Sequence, residues 1–599
     1  MNILKNKKVA LEAHIDHSYF VSKNILIAQG WVRPEPNSEV KITLHANAGE
    51  VKVKPLKTIN FKRPDVNKHF NDLDEVKSGV VCIFDIKDEY QRDTVNINVE
   101  RDSTEKKLNL NVTGDVKNVL NPLALMDKAE FEVADLFLLK KYSSLIISAS
   151  DGARVDPNSF PGCLQINVEH AFSIPNHGIF IQGWLVDAEK NLAGIHIKQG
   201  GVVSMNLLDS STSFLRPDVN QVFSQYISDR YEAGLYGIAL SDEFVSGLNY
   251  ELIMVTKTGE ISTQTLEVVA KPDDPVALIQ SALTPFDLNR DGYQKELHGF
   301  IGDAITHIWK NKTLPAGEDE VEQYGKPVKA PGCSMIIPIY GRYDFVLYQM
   351  TQFDNDPYMQ KVEIIYVLDD PKILSEFNSY CARVSPLLNL GFKTVYGGCN
   401  RGFAGANNLG VKHATAETLL LLNSDVMPKY NNWLADLISV FNKKKNVGVL
   451  GSRLLFEDET IQHDGLEYQK LPSFEELWLI DHPGKGLPEW MARDCGVYEI
   501  PSVTGACMLI KKKTYETLGG FDESYILGDF EDSDLCLKAL QSGLKNYIDT
   551  NTSLYHLERQ SQNLFNDTSW KFKLTIFNGI QHSKRWDSTI IKLLEQGSK

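Results

Sequence analysis

The run Leu419-Leu420-Leu421-Leu422-Asn423-Ser424-Asp425 decides the fold of this chain. Four leucines in a row are too short for a free-standing helix and too apolar for a surface segment. They read as a strand buried on both faces. The strand stops in a polar triplet ending in a carboxylate. That puts charge at the carboxyl edge of a sheet, where open α/β folds bind ligands. Working outward, Ser334-Met-Ile-Ile-Pro-Ile-Tyr340 is a second buried strand, followed by a helix over 343–353. The segment 362–369 is a third strand ending in Asp369-Asp370, and 393–396 is a fourth. Gly402 opens a helix expected to run to 416, and another spans 433–441. Strands alternating with helices predict a mostly parallel sheet covered on both faces.

The chemistry-bearing residues fall at the ends of these elements. Asp369 and Asp425 come together if their strands are neighbours at the carboxyl edge. One carboxylate there suits a base or ribose, and the other suits a divalent ion held against a diphosphate, magnesium and manganese being the cations that prefer such oxygen ligands. The stretch Gly402 to Gly410 keeps side chains small where backbone approaches a ligand, and it opens a helix whose N-terminus favours anions. Further on, Gly519-Gly520-Phe521-Asp522-Glu523 is loop-like and leads to Glu531-Asp532 at a helix start. A carboxylate so placed can take a proton from an attacking hydroxyl, although paired acids at a helix start also simply complement the dipole. His556 is a late histidine able to add a nitrogen ligand.

Taken together, Ile336-Ile-Pro338-Ile-Tyr340-Gly-Arg342, Leu-Asp369-Asp370, Asn400-Arg-Gly402-Phe403-Ala-Gly405-Ala-Asn407-Asn408-Leu-Gly410, Leu-Leu-Asn423-Ser424-Asp425, Thr504-Gly505-Ala506 and Gly519-Gly520-Phe521-Asp522-Glu523 with Glu531-Asp532-Ser-Asp534 resemble a family 2 glycosyltransferase of GT-A fold. The flavour is that of bacterial rhamnosyl- and galactofuranosyltransferases. The resemblance covers residues 331–561. It implies that Pro338, Tyr340, Arg342 and Asp369 cradle the nucleoside of a sugar nucleotide. It implies that Asn400, Gly402, Phe403 and Asn407 form the diphosphate loop. Asn423-Ser424-Asp425 stands where the family has Asp-x-Asp, with Asn in place of the first Asp, so Asp425 is the carboxylate expected to hold metal, joined by His556. The cofactor implied is Mn2+ or Mg2+. Asp532 matches the general base with Glu531 as its acidic neighbour, and Gly505 and Ala506 match the wall facing the acceptor.

The first 320 residues carry an internal duplication. Gln29-Gly30-Trp31 matches Gln182-Gly183-Trp184, and Phe61-Lys-Arg63-Pro64-Asp65-Val66-Asn67 matches Phe214-Leu-Arg216-Pro217-Asp218-Val219-Asn220, both at an offset of 153. Asn121-Pro122 against Asp274-Pro275 keeps the same offset. Three blocks in one register indicate a repeated unit. Short runs rich in Val, Ile and aromatics, punctuated by Gly, Asn and Pro, predict a small β-sandwich per unit, closed by a helix with Pro at its first position. The Arg-Pro-Asp block reads either as a sugar- or partner-binding loop or as an Arg63–Asp65 pair that locks a turn, with Trp31 in the core. The second reading is the plainer one. Asp287-Leu-Asn289-Arg-Asp291-Gly292 opens like a calcium loop but places His298 where the bidentate Glu belongs, so a capped turn is expected.

The expected organisation is therefore multidomain: two tandem β-sandwich-like units with helical connectors, then an α/β, Rossmann-like GT-A domain with a C-terminal helical tail. The boundaries are a β-unit at 1–115, a connector at 116–160, a β-unit at 161–271, a helical connector and linker at 272–330, the catalytic domain at 331–565 and the tail at 566–599. A net charge of −16 argues against a non-specific nucleic-acid binder, which needs a basic face. The cysteines form no C-x-x-C pair, so a zinc knuckle or redox motif is not expected. No apolar stretch follows the start and no run is long enough to span a bilayer, so the expectation is a cytoplasmic protein. The tail, with Trp570, Lys571, Phe572, Lys573, Phe577, Lys584, Arg585 and Trp586, suits the inner face of a membrane, the catalytic domain or a second subunit; packing on protein is favoured. The function expected is inverting, metal-assisted transfer of a hexosyl or deoxyhexosyl group from a UDP- or dTDP-sugar to a glycan or lipid-linked acceptor, as in bacterial surface polysaccharide synthesis. The rival is a carbohydrate-binding or scaffold protein with an inactive transferase domain, and a nucleotidyltransferase is a third reading.

Overall fold

The computed structural model describes residues 11–20, 25–33, 40–46, 51–61, 63–70, 77–85, 95–101, 104–110, 163–200, 202–245, 249–256, 260–269, 274–290, 292–312, 318–471, 477–492, 495–557 and 569–597. The first connector, 116–160, with its Asn121-Pro122 cap, lies outside these residues. The chain divides into two compact units, Met1–Asp274 and Pro275–Lys599.

The first unit contains four four-stranded antiparallel sheets, and the duplication is visible in their topology. In the first repeat, Ala13–Phe20, Ile25–Val32, Gly79–Asp85 and Lys57–Phe61 lie side by side in that order. In the second, Leu164–Ile174, Gly178–Asp187, Gly234–Leu240 and Ser211–Phe214 do the same. The companion sheets, built around Lys41–Ala46 with Asn96–Arg101 and around Leu192–Gln199 with Tyr250–Thr256, also share one order. Alternate residues of each sheet pair meet in one apolar cluster: Leu26, Val80 and Phe84 with Leu44, Ile97 and Val99, and again Ile179, Ile181 and Leu235 with Ile195, Ile197 and Leu252. Even the irregularities repeat. The bulge between Ile15 and His17 recurs opposite Val168 and His170 at the same offset.

The Arg-Pro-Asp block is a lock. Arg216 holds Glu169 at 2.9 Å and Asp218 at 2.7 Å. Arg63 holds Asp16 at 2.6 Å, the residue equivalent to Glu169, while the Asp65 side chain lies outside the described residues. The tryptophans are not in the core as the turn-locking reading had it. Trp31 and Trp184 are half-buried and pack against Phe70 and Phe223, ring centroids 5.6 and 5.4 Å apart.

The second unit opens with α1 (Pro275–Leu283), α2 (Tyr293–Leu297) and α3 (Phe300–Lys310). Pro275 is the first helical residue of α1, and Asp287 caps a turn through the Asn289 N–H at 2.9 Å. These helices group with this unit, and the stretch expected as a linker holds a strand, β1 (Glu320–Tyr324). The strand was illegible because its side chains are mostly exposed, and its hold is the backbone ladder with the edge of the sheet.

The sheet continues with β2 (Cys333–Ile339), β3 (Val362–Leu368), β4 (Phe392–Tyr396), β5 (Thr418–Leu422), β6 (Val426–Pro428), β7 (Val447–Leu455), β8 (Ile461–His463), β9 (Glu467–Leu471), β10 (Leu477–Asp481), β11 (Val497–Glu499), β12 (Cys507–Lys511) and β13 (Lys545–His556). The order is β1-β4-β3-β2-β5-β12-β7-β13-β6, with β8 on β7 and β11 on β13; β9 pairs with β10 apart from it. Strands β4, β3, β2 and β5 are parallel, as the alternation of strands and helices requires.

The leucine run shows why such a strand is apolar throughout. Leu420 and Leu422 enter one cluster and Leu419 and Leu421 the other, since successive side chains point to opposite faces. One face is covered by α4 (Phe345–Asp354), α5 (Leu374–Val384) and α7 (Trp433–Lys443). The other is covered by α6 (Gly402–Lys412), α8 (Lys512–Thr517) and α9 (Glu531–Gln541). The helix from Gly402 ends at Lys412, short of 416, with His413 as its cap.

The final helix, α10 (Ser569–Gly597), buries Trp570, Phe577, Trp586 and Ile590 and leaves Phe572 half exposed. Most of its apolar side is spent within this unit, while Ile591 and Leu594 also remain exposed. Among the described residues no helix is long and apolar enough to cross a membrane.

Candidate functional site

The site lies where the parallel strands end. Asp369 follows β3 and is buried. Burial drives its carboxyl well above the ordinary range, opposed by N–H groups of Arg401 (to Oδ1, 2.7 Å) and Gly402 and by the charges of Lys312 and Arg401. Pro338 lies in β2, next in the sheet, with Tyr340 and Arg342 just beyond it. Arg342 bonds Asp344 at 3.0 Å, lies over the Phe345 ring at 4.4 Å, and has Asp425 as an electrostatic neighbour.

The loop from Asn400 to Phe403 is fixed at both ends. The Gly402 N–H donates to Asn400 Oδ1 at 2.9 Å, and the Phe403 N–H donates to the Leu527 carbonyl at 2.8 Å. Gly402 has φ +75°, and a Cβ there would stand 3.0 Å from the Trp309 ring and 3.1 Å from Leu527 Cα. Only glycine meets both demands. Trp309, on α3, also donates from Nε1 to the Glu523 carbonyl at 3.0 Å. Asn407 is fully buried: Nδ2 bonds the Phe403 carbonyl at 2.9 Å, while Oδ1 has no partner among the described residues.

At the end of β5, the Asn423 N–H donates to the Ala506 carbonyl at 3.0 Å, and Gln349 clasps the Asn423 carbonyl at 2.9 Å. Ser424 is half-buried and Asp425 buried. Strand β6 then pairs with β13 so that Val426 faces His556. His556 Nε2 lies 3.2 Å from Asp425 Oδ1 and 3.3 Å from Asn423 Nδ2, and Nδ1 lies 2.6 Å from Gln462 Oε1. Asn423 Oδ1 is buried without a partner among the described residues.

Glu531 and Asp532 begin α9. The chain reaches them through Leu527, Gly528, Asp529 and Phe530, whose φ values are 64, 159, 76 and 77°. Three non-glycine residues in left-handed backbone within one turn are costly and persist only when the surroundings fix them. Here α10 does so. Asn578 bonds Ile526 N–H at 3.2 Å, its carbonyl at 3.1 Å and the Gly528 carbonyl at 2.7 Å; Thr575 bonds Asp529 at 2.6 Å. His582, its pKa lowered to about 4 by burial, bonds Ser533 at 2.9 Å.

Asp532 accepts the Gly505 N–H at 2.9 Å and the Ser533 N–H at 2.7 Å. Burial raises its carboxyl above the ordinary value; those amides oppose the shift and Asp529 adds to it. Glu531 is pushed well above its ordinary value, first by burial and then by Asp532 beside it, and its Oε2 has no partner among the described residues. Gly505 is hemmed in: a Cβ would stand 3.1 Å from the Phe403 ring and 3.4 Å from Asp532 Cβ.

The candidate residues are thus stitched into one chain of bonds. Asp369 holds the loop at 401–402, Phe403 holds the Leu527 turn, that turn presents Asp532, Asp532 holds Gly505, and Ala506 holds Asn423 beside Asp425 and His556. Among the described residues no group of three or more His, Cys, Asp or Glu side chains gathers as a metal site; Asp425 and His556 are a pair. Several residues here were not anticipated from sequence: Gln462, His463 (Nε2 accepting the Thr504 N–H at 3.3 Å), Trp309 and the Thr575, Asn578, His582 face of α10.

The site thus joins a parallel sheet with acidic strand ends, a glycine-opened helix beside them and a carboxylate pair, Glu531 buried and Asp532 half-buried. Residues 334–518 match the family model described as Glycosyl transferase family 2. The O-antigen biosynthesis protein RfbC of Myxococcus xanthus is 33% identical over 162 residues, 26% of this chain and 12% of that protein. The low-salt glycan biosynthesis hexosyltransferase Agl10 of Haloferax volcanii is 21% identical over 183 residues, 30% of this chain and 54% of its own length. Among solved structures, GalNAc-T7 with UDP, GalNAc and Mn2+ overlaps 38% of this chain and 44% of that one, at 16% identity and a TM-score of 0.31. The chain therefore spans only a part of the curated relatives it matches, from an eighth to about a half.

Proposed function

We propose that this chain is an inverting, metal-assisted glycosyltransferase that moves a hexosyl or deoxyhexosyl group from a UDP- or dTDP-sugar to a glycan or lipid-linked acceptor. The observation that carries the reading is the bonded path from Asp369 through Gly402 and Asp532 to Asp425 and His556. It supports the reading because it links the residues proposed for nucleoside, phosphates, base and cation. Surface polysaccharide assembly at the inner face of a bacterial membrane is the setting we assign, with the two duplicated β-units as sandwich modules carried on the same chain.

The cation fits the residues present. In an octahedral sphere with metal–oxygen distances of about 2.1 Å, neighbouring ligands stand about 3 Å apart. Asp425 Oδ1 and His556 Nε2 are 3.2 Å apart, close to that spacing. Mn2+ or Mg2+ held there would neutralise the charge of a departing nucleoside diphosphate.

Each residue has a distinct task. Pro338, Tyr340, Arg342 and Asp369 hold the nucleoside. Asn400, Gly402, Phe403, Asn407 and the N-terminus of α6 hold its phosphates, with Ser424 at the end of β5. Asp532 takes the proton of the acceptor hydroxyl, whose oxygen forms the new bond at the anomeric carbon as the diphosphate bond breaks on the opposite face. A carboxylate with a raised pKa is the better base for a hydroxyl near neutral pH. Glu531, its carboxyl pushed well above the ordinary value, is its acidic neighbour, and Gly505 with Ala506 forms the wall on the acceptor side.

The test is direct. Incubation with UDP-, dTDP- and GDP-sugars and Mn2+ is expected to release one nucleoside diphosphate, and Asp532→Asn to abolish the release. Absence of release from every donor, with and without a mixed glycan acceptor, would favour the scaffold reading.

A further inference from the structure

We infer that Gln462 is a positioning residue of the cation site. Its amide oxygen holds the Nδ1 proton of His556 and so turns Nε2 toward Asp425. The inference rests on the cation reading above and adds a residue to which no part of that reading assigns a role.

Strand β8, which carries Gln462, is only three residues long and is attached to β7 by a shifted register. Its middle side chain is buried and reaches His556, with Oε1 and Nδ1 2.6 Å apart. A side-chain carbonyl oxygen can only accept, so the ring nitrogen must donate. In a neutral imidazole the proton then sits on Nδ1, and Nε2 is left as an acceptor. Nε2 faces Asp425 Oδ1 at 3.2 Å. A ring nitrogen and a carboxylate oxygen at that spacing can face one positive centre, a divalent cation or a proton on Nε2, and Asn423 Nδ2 stands 3.3 Å from the same nitrogen.

The rest of β8 shows why this strand can set the ring. The next residue, His463, accepts the Thr504 N–H at 3.3 Å and meets His482 through Nδ1 at 3.1 Å. Asp464 then pairs with buried Arg453 at 3.2 Å. The strand is pinned on its far side before Gln462 reaches for His556. A ring held by one buried hydrogen bond has one orientation, and ligating histidines depend on such a partner for tautomer and aim.

The experiment titrates manganese(II) alone into the full chain, reading free metal by electron paramagnetic resonance, for wild type, Gln462→Leu, Gln462→Glu and Asp425→Ala. Leucine keeps the volume and removes the acceptor; glutamate restores an acceptor. Loss of the partner is expected to weaken manganese binding by about 10- to 100-fold in Gln462→Leu, with Gln462→Glu within about threefold of wild type. Asp425→Ala should lose the site. A thermal melt checks that each variant folds, and glutamate rescue separates loss of the acceptor from general damage to β8. If Gln462→Leu binds manganese as wild type does while Asp425→Ala does not, the positioning role is refuted and the cation site stands. If wild type binds no manganese, the cation reading fails and this inference falls with it.

Discussion

Replacing Asp532 by Asn separates chemistry from folding. The substitution keeps the shape of the side chain but removes its charge. One carboxylate oxygen accepts the Gly505 N–H at 2.9 Å and the other the Ser533 N–H at 2.7 Å. In asparagine one of these positions becomes an NH2 facing an N–H donor, which costs about 1–3 kcal/mol. Against that, the change removes a buried charge that Asp529 opposes, so the two terms offset and the melting temperature should move little. Catalysis has no such offset. Loss of a general base lowers the rate by about 10²- to 10⁴-fold, or about 2.7–5.5 kcal/mol of barrier. The assay is release of nucleoside diphosphate under saturating donor, read beside donor affinity, which should hold. The wild-type rate should also fall on the acid side at a pH above the ordinary Asp value of about 3.9, because the raised carboxyl must lose its proton to act. A variant turning over within a few-fold of wild type would refute Asp532 as the base.

Three further outcomes follow from the same geometry. Gly402→Ala forces a Cβ into φ +75° backbone, at about 1–2 kcal/mol, and against the Trp309 ring and Leu527 Cα; calorimetry should show weakened nucleotide binding as well as a lower melting temperature. Glu531→Gln should stabilise the catalytic unit. The folded state keeps a proton that the unfolded chain releases above its ordinary value of about 4.3, so wild-type stability falls as pH rises through the raised value. The variant escapes that loss, so it is more stable than wild type at neutral pH and no more stable well below pH ~4, which melts across pH would show. Trp586→Ala removes a buried ring and the Nε1 bond to Asp534 at 2.8 Å, and should cost about 3–5 kcal/mol in denaturant unfolding of the catalytic unit.

The parallel half of the sheet was legible because burial on both faces leaves unbroken apolar runs, as in Leu419 to Leu422, and because acids mark where strands stop. Six motifs in order also brought the nucleotide loop and the carboxylate pair into view. What escaped was whatever the fold assembles from distant or weakly patterned segments. Strand β1 is mostly exposed and gives no apolar alternation. Helices α1 to α3 read as a connector, although Trp309 closes the Gly402 loop. The tail read as one of three surfaces because amphipathic spacing does not name a partner; in the fold its Thr575, Asn578 and His582 grip the left-handed turn before Glu531. Gln462 was invisible because a lone glutamine has no spacing to mark it. The duplicated Arg216–Glu169 lock was half visible: the arginine lies inside a matched block, while its partner lies 47 residues away.

The central claim is that Asp425 and His556 hold a cation against a sugar nucleotide. It is tested most directly by thermal shift of wild type and Asp425→Ala with UDP-, dTDP- and GDP-sugars, each with and without Mn2+. At a hundred times its dissociation constant a ligand adds about 2.7 kcal/mol of stability. The account predicts that one nucleotide class raises the wild-type melting temperature only when metal is present, and that Asp425→Ala does not respond. A shift that ignores the metal, or one that survives in Asp425→Ala, would contradict it.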